Sequence, residues 1–316
     1  MTVLSDRPRT RDRWPPRERR WSPGRPVDVA RTLGPLRRGT ADPAHSVRPD
    51  GFWWAAATPV GPGTLRLRTS AGNVDATAWG SGADWLLERV PTLLGVDDDW
   101  STLDVSGWPL LARVLRSRPG IRLPRTELVL DSLVPAILEQ RVTGLQARRA
   151  WRLLLHKYGE PAPGPAPVGL RVPPTPAQLL AVPTWDWSRW EVDLHRRRAI
   201  RAVATVANRL EECARMSCAD AARRLQLIPG IGIWTAAETT QRVLADPDTV
   251  SVNDYHVHNQ VVFAFTGRAR GTDEEMLELL EPWAGQRQRI VRLIELAGIG
   301  APRFGPRQSL DRPPGS

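Results

Sequence analysis

The sequence predicts an α+β protein, with an antiparallel β-sheet domain over residues 27–98, a helical core over 99–300, and polar tails at 1–26 and 301–316. Three observations predict it. Between Val27 and Gly80 apolar residues recur with period two, the spacing of strands that turn one face inward. After Ser81 the apolar spacing changes to three and four, that of amphipathic helices. A glycine-rich hairpin, Pro229-Gly-Ile-Gly232, then separates two helical stretches within residues 219–245.

The elements follow in chain order. The first 25 or so residues, with Arg7, Arg9, Arg11, Arg13, Trp14-Pro-Pro16 and Arg17 to Arg20, are polar and proline-broken, so they are expected to stay unfolded. Leu65 and Leu67 alternate with Arg66 and Arg68, and Val74, Ala76 and Ala78 with Asp75 and Thr77, across a turn at Gly72-Asn73. That alternation describes a sheet with one face in water. Helices are expected from Trp85-Leu-Leu87 through Leu110, Leu111 and Leu115, then at 128–141 and 145–158. Residues 159–176 are thick with proline and read as a long surface loop. Helix resumes at 177–181, and 194–214 makes a long amphipathic one. The hairpin pair and helices at 255–265, 272–280 and 287–296 complete the chain. Leu296-Ala-Gly-Ile-Gly300 imitates a second hairpin, but Pro302 follows it, so it reads as a helix C-cap.

A chain of 316 residues holds two or three lobes with their own cores. Its formal charge of +10 favours a polyanionic partner, although arginine is spread along the whole chain and Lys157 is the sole lysine. There is no apolar run of membrane-spanning length and no apolar segment after Met1, which argues against a membrane partner and for the cytosol, near the nucleoid. Two cysteines, Cys213 and Cys218, are too few for a four-thiolate iron–sulfur cluster and are expected to be reduced.

In the hairpin, two glycines around one apolar residue make a tight turn that leaves backbone N–H groups bare at a helix N-terminus, where a phosphate oxygen is favoured, while Ile231 plugs the core. Leu227-Ile-Pro-Gly-Ile-Gly-Ile-Trp-Thr-Ala236, then Arg242, Asp246-Pro-Asp248 and Asp254-Tyr255, resemble the helix-hairpin-helix DNA glycosylase superfamily, in particular the bacterial 3-methyladenine DNA glycosylase II family. The likeness extends to Ala136-Ile-Leu-Glu-Gln-Arg-Val-Thr-Gly-Leu-Gln-Ala147, to Gly80-Ser-Gly-Ala-Asp-Trp-Leu-Leu87 and to Leu94-Gly95, and covers most of 27–295.

The resemblance implies a helical glycosylase core of two lobes with a cleft between them, and a monofunctional DNA N-glycosylase that excises alkylated bases such as 3-methyladenine. Asp254 is then the catalytic residue, stabilising the positive charge that builds on the sugar, activating water, or both. Asp254 also suits a helix N-cap. Trp234, Glu238, Gln140 and Tyr255 are assigned to the substrate, and Pro229, Gly230, Ile231, Gly232, Thr235 and Arg141 to DNA. Trp234 is read either as a stacking platform or as a core anchor of the hairpin, and Glu238 either as a carboxylate in the base pocket or as a solvated one. Arg141 stands where the family has an apolar wedge, and Glu238 where it commonly has tyrosine. Trp283-Ala-Gly-Gln-Arg287 keeps the family's Trp and Arg without the Pro between them.

Relatives that also cut the backbone carry a lysine after the hairpin, where this chain has Trp234, so no lyase step is expected. No cofactor and no metal are expected: His256 and His258 lie two apart and diverge on a helix. The expected partner is double-stranded DNA with a damaged base, and the expected state a monomer. Two alternatives stay open, a noncatalytic DNA-binding or damage-sensing protein and a glycosylase for a deaminated or oxidised purine.

Overall fold

In a computed structural model, which describes residues 14–302, five antiparallel strands form the N-terminal sheet. They are β1 (Arg17–Trp21), β2 (His45–Arg48), β3 (Gly51–Thr58), β4 (Gly61–Ser70) and β5 (Asn73–Gly80), in the spatial order β1-β5-β4-β3-β2. The period-two pattern sets the register, with Leu65 opposite Ala78 and Leu67 opposite Ala76. Phe52, Trp54, Leu65, Leu67, Val74 and Ala76 share one face and pack on Leu86, Leu87, Val90 and Leu93 of the helices Ala83–Glu88 and Val90–Leu93.

Two expectations about this half are corrected. Arg17 to Trp21 belong to the sheet and not to an unfolded tail, pairing with β5 from Arg17–Ala78 to Trp21–Val74. Their arginines have structural partners: Arg19 donates to the carbonyls of Leu87 and Glu88, capping the helix Ala83–Glu88. Arg7, Arg9, Arg11 and Arg13, and the tail from 303 on, lie outside the described residues. Nor is the second face of the sheet wholly wet, although Arg68 on it stays exposed. Trp53, Ala55 and Trp79 are buried there against Leu170 and Val172, because the proline-rich stretch 159–176 folds back over it through a short ladder, β6 (Glu160–Pro161) and β7 (Arg171–Val172). Gly164 makes the approach possible: its φ is +74°, and a Cβ there would stand 2.3 Å from the Trp79 ring. Trp53 and Trp79 stack at 5.4 Å, with the Arg66 guanidinium over both.

The helices divide into two hydrophobic clusters. One gathers Val129–Leu138, Gly144–Tyr158, Leu194–Thr205, Cys218–Gln226 and Ile233–Val243. The other gathers Pro109–Ser117 with Val257–Thr266, Asp273–Leu280 and Arg287–Leu296. The second cluster therefore draws on chain both before and after the first. Two helices are shorter than their periodicity suggests. Val129–Leu138 stops before Gln140 because buried Arg196 donates to the Leu138 carbonyl, and Arg141 takes a left-handed φ of +54°. The stretch 194–214 breaks at Val206 into Leu194–Thr205, Ala207–Glu211 and a 3₁₀ turn.

Asp42 ties the sheet half to the helices. Its buried carboxylate accepts from the Trp151 indole at 3.0 Å, from the Arg38 and Ala44 amides, and pairs with His45 Nδ1 at 3.0 Å. Burial alone would raise its pKa, but His45 and these donors hold it at about 2, below the unfolded value of 3.8. The depressed carboxyl contributes about 2 kcal/mol that is fully present above the unfolded pKa and lost as pH falls through the folded one. Unfolding free energies measured from pH 4 down to pH 2 are expected to fall less steeply for Asp42→Asn than for wild type.

Candidate active site

The hairpin is built by local sequence. Ser217 caps Cys218–Gln226 through the Asp220 amide, and the chain then turns on hydrogen bonds from Ile228 N to Leu225 O and from Ile231 N to Ile228 O. Gly230 has φ +90°, and a Cβ there would meet Ala199 Cβ at 2.9 Å. Ile231 is buried in the first cluster. Gly232 opens Ile233–Val243 with no side-chain cap among the described residues, so the first-turn amides have no intrahelical partners. Exposed Pro229 flanks them.

Asp254 sits where the first cluster hands over to the second, just before Val257–Thr266. Its Oδ1 accepts from the amides of His256 at 2.7 Å and Val257 at 3.0 Å, which fixes the turn leading into that helix, although the N-cap position itself is His256 and not Asp254. Its Oδ2 accepts from the Trp234 indole at 2.9 Å. Asp254 is half-buried, and three N–H donors hold it in one orientation. The carboxylate and the hairpin helix are thus fastened to each other directly.

Several assigned residues have protein partners. Gln140 Nε2 donates to the Gly230 carbonyl at 2.9 Å and to Thr235 Oγ1 at 2.8 Å, so it braces the hairpin from beneath. Thr235 is 2% exposed, and its hydroxyl accepts from Gln140. Trp234, read as a stacking surface or a core anchor, is the hydrogen-bond partner of Asp254. Glu238 neither faces solvent nor presents a free carboxylate: Ser251 Oγ donates to its Oε1 at 2.6 Å, and Arg242 pairs with its Oε2 at 2.9 Å. Burial would raise the Glu238 pKa, but Arg242, the Ser251 hydroxyl and Arg38 bring it below the usual range. Arg141 and Tyr255 are exposed, Arg141 in the turn before the capping box of Gly144–Tyr158. The Tyr255 ring meets His256 edge-on at 4.9 Å.

The remaining motifs are scaffolding. Trp283 stacks on Phe265 and donates to the Asp104 carbonyl, while Arg287 grips Asp248 through two nitrogens. Asp246 accepts from the Asp248 and Thr249 amides and from the Thr240 hydroxyl. Lys157 donates to both oxygens of buried Asp186 at 2.6 Å. His258 contacts Asn259 at 2.8 Å. Sequence reasoning missed Ser251 and the bracing role of Gln140. A signal existed for the former: Trp234 and Glu238 are one helical turn apart and face Asp254 and Ser251, three apart on the facing segment.

No family model matches the chain. Over 169 residues, 53% of its length, it is 32% identical to a protein of Mycobacterium tuberculosis described as a probable bifunctional transcriptional activator/DNA repair enzyme AlkA. The match spans 31% of that relative's own length, under a third of it. Among solved structures, it superposes on a 3-methyladenine DNA glycosylase from Archaeoglobus fulgidus with a TM-score of 0.71 at 14% identity, covering 89% of this chain and 98% of that one. It also superposes on a Clostridium acetobutylicum 8-oxoguanine glycosylase/lyase, solved with double-stranded DNA, with a TM-score of 0.64 at 11% identity, covering 86% and 91%. These likenesses establish a shared fold, an N-terminal antiparallel sheet followed by a helical core.

Proposed function

We propose, on the premise that this chain has the fold of the helix-hairpin-helix DNA glycosylases, that it is a monofunctional DNA N-glycosylase excising alkylated bases such as 3-methyladenine. The observation that carries the reading is Asp254, whose carboxylate is locked to Trp234 of the hairpin helix by a 2.9 Å hydrogen bond. The bare amides after Gly232 take a phosphate of double-stranded DNA, with exposed Pro229 beside them and Arg141 at the neighbouring turn. The damaged nucleotide is flipped from the stack at a cost of a few kcal/mol. As its glycosidic bond breaks, positive charge builds on the sugar, and a fixed carboxylate stabilises it without reorganising. The same carboxylate orients or deprotonates the attacking water. An alkylated purine already carries positive charge and leaves without a general acid, which suits a site whose candidate catalyst is one carboxylate.

The enzyme works on one strand and as a monomer, with water as the only co-reactant and no metal or cofactor. Among the described residues no helix is long and apolar enough to cross a membrane, and action beside the nucleoid in the cytosol belongs to the same proposal. A lyase step is not part of it. Trp234 occupies the post-hairpin position, and the only lysine, Lys157, is ion-paired to Asp186.

The test is a panel of duplexes with single lesions, assayed for free base and for nicks before alkali treatment. Release of 3-methyladenine from unnicked duplex is the expected result. Nicking by the protein alone, or release confined to 8-oxoguanine or hypoxanthine, would overturn it.

A further inference from the structure

The hairpin helix carries a stripe of three residues one turn apart, Trp234, Glu238 and Arg242, and each holds a different piece of chain. Trp234 Nε1 donates to Asp254 Oδ2, and Glu238 Oε1 accepts from Ser251 Oγ. Arg242 binds Glu238 Oε2 and donates through Nε to the Pro35 carbonyl of the N-terminal half at 3.0 Å. Four residues of helix rise about 6 Å. The two grips therefore fall on two points of the short segment Ser251 to Asp254, which ends in the carboxylate. Gln241 adds a third hold, donating to Ser251 Oγ at 3.1 Å and to the Thr249 carbonyl at 2.9 Å. Between the grips Asn253 takes a left-handed φ of +67°, a turn conformation that asparagine adopts more readily than most residues, and its backbone amide donates to Asp273 Oδ2 at 2.8 Å.

We propose that Glu238 and Ser251 are positioning residues, a latch that fixes the segment carrying Asp254 against the hairpin helix. The inference rests on the reading of Asp254 as the charge-stabilising group. Glu238 is almost fully buried, with its side chain 13% exposed, and each of its oxygens already has a protein partner. A carboxylate that reads a base presents an oxygen to it; one that holds a loop presents its oxygens to the loop and to a counter-charge, as Glu238 does. Arg242 completes the device, because a buried carboxylate without a cation would be costly.

The 316-residue chain tests the latch in two ways. In Ser251→Ala, hydrogen exchange at the His256 and Val257 amides, which Asp254 Oδ1 holds, accelerates on the order of tenfold. Unchanged exchange at these amides overturns the latch, and this arm needs no enzymatic activity. In single-turnover assays Ser251→Ala and Glu238→Gln slow excision of every accepted lesion by one common factor, on the order of tenfold, as expected for a slightly misplaced catalyst. Affinity for a duplex with a non-cleavable abasic analogue stays unchanged. If Glu238→Gln instead reorders the preference among lesions, Glu238 reads the base and the proposal fails. A wild-type protein that releases no base from any lesion defeats the glycosylase reading, while the exchange arm still decides whether the latch exists.

Discussion

Asp254→Asn is expected to lose about a thousandfold in single-turnover base release while retaining its affinity for a duplex with an abasic analogue. A unit charge about 4 Å from a developing cation contributes on the order of 4 kcal/mol at an effective dielectric near 20, which is about three orders of magnitude in rate. The substitution is mild for the fold. Asparagine keeps a side-chain oxygen, so the hydrogen bonds to the His256 and Val257 amides persist through the amide oxygen. What disappears is the charge, together with the Trp234 contact, because the amide NH₂ then faces the indole N–H donor. The variant separates electrostatic stabilisation from mere shape. A mutant within a few-fold of wild type would show that the carboxylate only fixes the turn before Val257–Thr266 and would remove the basis of the proposed chemistry.

The largest effect on stability is expected at the other end of the second cluster. Asp98, 4% exposed, accepts from Arg289 through Nε and a terminal nitrogen, from the Trp100 indole and from the Leu123 amide. It thereby joins the chain that leaves the sheet half to the last helix. Asp98→Ala strands the Arg289 guanidinium in a buried setting and leaves the indole and amide donors without an acceptor, which costs about 3–5 kcal/mol. Denaturant titration is expected to show a large drop in midpoint. A midpoint equal to wild type would mean that water or another carboxylate replaces Asp98 fully.

How much of this was legible in the sequence differs between backbone and side chains. Period-two alternation located the middles of β4 and β5 and which of their residues face the core, because a slip of one would invert every side chain between core and solvent, but not their ends, which run on to Gly61 and Gly80. Arg287–Leu296 matches its expected bounds. β1 was illegible because Arg-Glu-Arg-Arg-Trp carries no apolar alternation; an edge strand needs only backbone pairing and one packed tryptophan. The proline-rich stretch reads as surface because proline marks loops, yet nothing local announces that Leu170 and Val172 lie on a tryptophan pair. In the candidate site, the hairpin turn followed from its glycines, while the N-cap expected at Asp254 falls on His256, two residues on. The tasks of Gln140, Thr235 and Glu238 did not, since a long polar side chain chooses among partners several ångströms apart, and only the packed fold fixes which one it reaches.

The interlaced path of the backbone also bears on biogenesis. Because Pro109–Ser117 packs with helices that begin at Val257, a growing polypeptide must synthesise well over a hundred intervening residues before that early helix finds its neighbours. Such sequence-distant pairing slows folding and leaves apolar surface waiting. The nascent protein would therefore finish its sheet first and assemble the Asp254 junction last, so that a chain cut short on the ribosome lacks a working centre.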